Sequence, residues 1–96
     1  MNFSPLTSSQ HYGLPANISA SGLIKTGTGT VQGIVVNSHS SGTIKLWDNT
    51  SAATTVLFNT ITFAAGPQSI NLFGVKFTNG LYATISGTAD ITLIYN

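Results

Sequence analysis

Ser41-Gly42-Thr43-Ile44-Lys45-Leu46-Trp47-Asp48-Asn49-Thr50-Ser51 (SGTIKLWDNTS) is the stretch on which the fold assignment rests. Side chains along a β-strand alternate between its two faces. Ile44 and Leu46 therefore share one face, and Thr43, Lys45 and Trp47 share the other. Asp48-Asn49-Thr50-Ser51 is rich in residues that hydrogen-bond their own backbone, and it reads as a turn. The chain's single tryptophan thus sits opposite the expected core.

Outward from this stretch, the chain repeats the same pattern of short apolar run and turn. Candidate strands are Ile18–Lys25, Thr30–Asn37, Gly42–Asp48, Thr54–Phe63, Ser69–Phe77, Leu81–Ser86 and Ile91–Tyr95. Clusters such as Thr26–Gly29, Ser38–Gly42, Ala65–Pro67 and Gly87–Asp90 punctuate them. Asn79-Gly80, between Phe77 and Leu81, is the clearest hairpin signal, because both residues tolerate the positive φ of a type I′ turn. Gly74 marks a candidate bulge that reverses the parity before Val75 and Phe77. Strands spaced about 8–12 residues apart predict an all-β fold. The expectation is one antiparallel β-sandwich or jelly-roll-like domain of about seven to eight strands. Residues 17–96 form that domain, and residues 1–16, with Pro5, Gly13 and Pro15 and no period, form an extended N-terminal arm.

Strand parity sorts the apolar residues. The predicted core is Ile18, Ile24, Ile34, Val36, Ile44, Leu46, Ile70, Leu72, Leu81, Ala83, Ile85, Ile91 and Leu93. The opposite face carries polar residues together with Val35, Trp47, Phe73, Tyr82 and Ile94. The run Val56–Ile61 has apolar residues on both faces, so its register stays open.

Composition narrows the function. In 96 residues only 5% are charged, and the formal net charge is +1; an average domain has roughly 25% charged residues. Three scattered lysines do not make a phosphate-binding patch, so no nucleic-acid partner is expected. No apolar run reaches the roughly 20 residues of a membrane helix. The segment MNFSPLTSSQ lacks the cationic and apolar regions of a signal peptide. There is no cysteine, so neither disulfides nor thiolate metal sites are expected. Ser, Thr, Asn and Gly supply most of the polarity, which suits a protein that packs against many copies of itself or against a lattice.

The chemistry-bearing residues are few. Gly27-Thr28-Gly29-Thr30-Val31-Gln32-Gly33 is glycine-rich, but a β-run follows it where a phosphate loop needs a helix. A hydrolase would have to draw on His11 or His39, Asp48 or Asp90, and a serine. No Gly-x-Ser-x-Gly elbow is present, and both aspartates lie at turns. The expectation is a non-enzyme with no cofactor and no metal.

"GIVVNSHSSGTIKLWDNTSAATTVLFNTITF" (Gly33–Phe63) and "FTNGLYATISGTADITLIYN" (Phe77–Asn96) together resemble small β-rich structural proteins of tailed bacteriophage virions, notably capsid decoration (cement) proteins. The resemblance covers roughly Ala20 to Asn96 and brings no catalytic residues. It implies a virion structural protein, made in the host cytoplasm, that binds the outside of the capsid. Its partners would be the major capsid protein or another virion protein and further copies of itself, with a trimer favoured. Aromatic residues are enriched at interface centres, so Trp47, Phe73 and Tyr82, with Val35 and Ile94, are the expected contact residues. Phe3 and Tyr12 are expected to anchor the arm. The alternative is a fibre or adhesin-like module that recognises cell-surface carbohydrate by aromatic stacking.

Overall fold

The computed structural model describes residues 13–96, and within them every regular element is a strand. These are β1 (Leu14–Ile18), β2 (Gly22–Thr26), β3 (Gly29–Trp47), β4 (Val56–Thr62), β5 (Gln68–Phe77) and β6 (Gly80–Tyr95). All six belong to one antiparallel sheet.

Among the described residues there are six strands where seven to eight were expected for the domain, and the reason is local. Ser38–Gly42 and Gly87–Asp90 were expected to be turns. Instead Ser38, His39 and Ser40 pair with Asp90, Ala89 and Thr88, so the strands on either side run through as β3 and β6. The turn-forming residues are used as a bulge: Ser41 and Gly42 stand opposite Gly87 alone. Ser41 (φ 53°) and Gly87 (φ 78°) both adopt left-handed backbone, the geometry of a sharp bend within a ladder. A Cβ on Gly87 would lie 2.3 Å from Ser41 O, so glycine is obligatory there.

This double bend divides the sheet into halves. On one side, Gly29–Val36 of β3 lies between β5 and the end of β6, and β1 pairs with β6 beyond it. On the other, Thr43–Trp47 lies between β4 and the start of β6, with β2 outside. The first strand begins at Leu14, inside the segment expected to be an arm, because Leu14–Ile18 pairs with Ile91–Tyr95.

The two ends of β3 converge on the turn between β5 and β6. Gly29 pairs with Phe77, Gly27 N–H donates to Asn79 O at 3.1 Å, and Asp48 accepts from Thr78 and Asn79. The sheet therefore curls back on itself, and inward-facing residues of both halves form one cluster. Val31, Ile34, Val36, Ile44, Leu46, Leu72, Phe77, Leu81, Ala83, Ile91 and Leu93 are buried in it with Phe63 and Ala89. Nine of these belong to the predicted core. Ile18, Ile24, Ile70 and Ile85 pack against it only partly buried. Val31, Phe63, Phe77 and Ala89 are additions, and bulges account for two of them by shifting strand parity: the register shift at Gln32 admits Val31, and that at Phe73-Gly74 admits Phe77. Ala89 has the parity of Ile91 and Leu93 and joins the core because Gly87–Asp90 continues the strand instead of turning.

Candidate functional site

The exposed faces hold the residues singled out from the sequence, in two separate groups. Trp47 pairs across the sheet with Tyr82. Tyr82 pairs with Leu23 of β2, and Trp47 pairs on its other side with Val56 of β4. Directly opposed residues point to the same face, so Val56–Trp47–Tyr82–Leu23 is a single apolar row spanning four strands. Leu23 and Val56 are 47% and 42% exposed, while the two aromatic side chains are half-buried.

The indole of Trp47 has partners within its own chain. Its Nε1–H donates to the Thr84 hydroxyl at 2.9 Å, and the Lys45 ammonium lies 4.4 Å from the ring centroid. These are a hydrogen bond and a cation–π contact. Thr43, Lys45 and Trp47 do share a face, as parity requires. The polar contact with Thr84 could not be read from the sequence, because it joins residues 37 apart. Leu23 and Val56 became visible only with the register, since β4 slips twice against β3, at Ile44/Leu46 and Leu46/Trp47.

The second group lies on the other half. Val35, between buried Ile34 and Val36, faces outward and is 38% exposed. Ile94 pairs with Gly33, two residues from Val35 on the same face. Phe73 lies on the edge strand β5 and is 78% exposed. Phe73 (φ 62°) and Gly74 (φ 64°) are both left-handed, and the Phe73 N–H donates to Asn71 Oδ1 at 2.8 Å. Leu72, Phe73 and Gly74 together stand opposite Gln32 alone. The structure therefore brings Trp47 to Tyr82 and Val35 to Ile94, and sets the two pairs on opposite outer faces of the curled sheet. Phe3 and Tyr12 lie outside the described residues, as does His11.

Two of the residues weighed for catalysis, His39 and Asp48, serve the fold. His39 Nδ1 accepts the Gly42 N–H at 3.1 Å, and Nε2 bonds Ala64 O. These two bonds assign the neutral tautomer with the proton on Nε2. The His39 ring meets Phe63 edge-on at 5.4 Å. Asp48 accepts the backbone N–H of Thr78 at 3.0 and 3.1 Å and that of Asn79 at 2.8 Å. Partial burial pushes this carboxyl up, but the N–H groups of Asn79, Thr78 and Gly80 and the Thr78 hydroxyl outweigh it and hold it below the ordinary value. Among the described residues no three His, Cys, Asp or Glu gather where a metal could bind, and no helix is long and apolar enough to cross a membrane. Compared with family models, curated proteins and solved structures, the chain matches none.

Proposed function

We propose that this chain is a non-enzymatic structural module that assembles through its outer faces. In its sharpest form it is a capsid decoration (cement) protein of a tailed bacteriophage. It would sit on the virion surface, bind the major capsid protein or another virion protein, and associate with further copies, as a trimer on a three-fold capsid position. The sandwich or jelly-roll reading of the fold belongs to the same proposal, with the curled sheet supplying the two layers.

The observation that carries this reading is the Val56–Trp47–Tyr82–Leu23 row. A contiguous apolar strip crossing four strands is unlike the scattered single hydrophobes that any surface carries. The low charge of the chain lets such a strip pack against a repeating lattice without like-charge repulsion. Carbohydrate stacking, the alternative, needs an open aromatic face, and Lys45 already covers one face of the indole.

The test is co-sedimentation with purified capsids that lack the protein, using wild type, Leu23→Lys and Val56→Lys. Both positions are exposed and on edge strands, where lysine is well tolerated. Wild-type binding that both variants lose, with unchanged melting temperature, supports the reading. No capsid binding by the wild type counts against the decoration role. Binding on a glycan array that survives in both variants favours the carbohydrate alternative.

A further inference from the structure

We propose that two copies of this chain associate by inserting the Phe73 ring of each into a depression over Gly33 of the other. This rests on the reading of the chain as an assembling module and names one partner and one contact for it.

The projecting element is built with care. Phe73 stands on an edge strand at the tip of a three-residue bulge, mostly exposed, in a backbone conformation that L-residues other than Asn, Asp and Gly rarely adopt. The Asn71 side chain holds it there through the Phe73 N–H. A left-handed aromatic exposed to water is an outlier of the kind that clusters at functional positions. Nothing in the fold requires an aromatic here, because Leu72 beside it already fills the core.

The receiving element lies next to it on the same strand. Gln32, Val35, Ser69, Asn71 and Ile94 surround Gly33 and border an open, shallow depression of about 330 Å³ on the outer face. Gly33 is what opens it: a Cβ there would stand 2.8 Å from Ile70 O, so no side chain can occupy the position. Phe73 does not line its own depression. Asn71 belongs to both elements, as wall of the depression and as holder of Phe73. A two-fold axis passing near Asn71 sets each projecting ring over the other copy's depression, the reciprocal arrangement that an isologous dimer demands.

The partner is a second copy for two reasons. Among the described residues no ionic side chain lines the depression, so identical surfaces meet without repulsion. The area also suits a modest self-association. Two phenylalanines bury on the order of 300–500 Å² together; with Val35, Ile94 and Ser69 added the contact stays below the roughly 1,200 Å² of standard interfaces, in the range of weak, transient association. Edge-to-edge strand addition is blocked by the same bulge, so the contact is ring-in-depression.

The experiment is sedimentation equilibrium of the full chain from about 1 μM to about 1 mM, a span covering weak to moderate affinity. The variants are Phe73→Gly and Ser69→Trp. Phe73→Gly removes the ring and relieves the left-handed backbone, so its monomer melts at or above the wild-type temperature. Ser69→Trp fills the depression from an exposed strand position. Each is expected to weaken association at least about 30-fold, the scale of a hot-spot residue. Association of Phe73→Gly equal to wild type overturns the proposal. So does Ser69→Trp that alters only monomer stability, the result expected if the chain's own first twelve residues fill the depression. A wild-type chain that stays monomeric yet binds capsids overturns this contact and leaves the assembly reading intact; failure of both assays removes both.

Discussion

The carboxylate of Asp48, just past the end of β3, accepts the backbone N–H of Asn79, in the turn before β6, at 2.8 Å. The same carboxylate takes the Thr78 N–H, and Gly27 N–H reaches Asn79 O from β2's end. One side chain therefore pins the turn on which both ends of the curled sheet converge.

Asp48 should make stability pH-dependent with a definite sign. Its folded-state carboxyl is held below the ordinary value, which is about 3.9 for aspartate. The contribution is thus complete above about pH 4 and is lost as the pH falls through the lowered folded value. Asp48→Asn should cost about 1 kcal/mol at pH 7, the low end for a hydrogen-bonded charge because this one is only partly buried and screened by solvent. Urea unfolding at pH 7 and pH 3 checks it: the difference between wild type and variant should shrink at the lower pH. A difference that stays constant would show that the charge of Asp48 does not matter.

The indole of Trp47 is tied to Thr84. Trp47→Phe keeps most of the buried ring and removes this bond, so it should cost about 1 kcal/mol. Trp47→Ala should weaken capsid binding by a larger factor than it weakens folding, because the row it centres is exposed at both ends. Melting curves and co-sedimentation on the same samples separate the two effects. Global unfolding of Trp47→Ala would mean that the ring serves mainly the fold.

The bend at Gly87 offers a paired comparison. Gly87→Ala must accept a left-handed backbone and a Cβ 2.3 Å from Ser41 O. Gly66→Ala has the same backbone problem (φ 84°) but open space around the new methyl group. The second should cost about 1–2 kcal/mol. The first should exceed it by about 1–3 kcal/mol, the range for a forced backbone shift. Chemical denaturation of the pair measures this difference, and equal losses would show that the bend relaxes freely.

Two phenylalanines four residues apart in β5 should respond in opposite senses. Phe77 is fully buried where Gly29 and the Asn79-Gly80 turn meet. Phe77→Ala should cost about 3–5 kcal/mol, a large fraction of the roughly 5–15 kcal/mol that stabilises a typical domain. Phe73→Gly should leave the monomer as stable as before or more so. Circular dichroism melts at low concentration distinguish the two.

Much of the fold was legible in the residues themselves. Alternation along Ile44-Lys45-Leu46-Trp47 set the correct inward and outward faces, and Asp48–Ser51 does leave the strand. Asn79-Gly80 joins β5 to β6, but not as the expected type I′ hairpin: neither residue takes a positive φ, and both strands pair with β3 instead of with each other. Gly74 marks a bulge, as its lack of a side chain suggested. These features are local, so local composition reveals them. Ser38–Gly42 and Gly87–Asp90 could not be resolved in the same way. Glycine and serine suit a turn and a bulge equally well, and only the partner strand decides which one forms.

The interface residues divide along the same line. That Trp47, Tyr82, Val35 and Ile94 face outward follows from a period of two. That Trp47 meets Tyr82, that Leu23 and Val56 extend their row, and that Val35 and Ile94 lie on the other half all depend on register between strands distant in sequence. The sequence by itself determined an all-β chain, which residues face inward over most of its length, and a surface nearly free of charge. Tertiary structure decided that the strands form one curled sheet, that Trp47 finds Thr84 and Lys45 within its own chain, and that Phe73 stands beside an uncharged depression. The physical reason is that strand pairing is non-local: side-chain alternation belongs to each strand alone, whereas register and curvature belong to the pair.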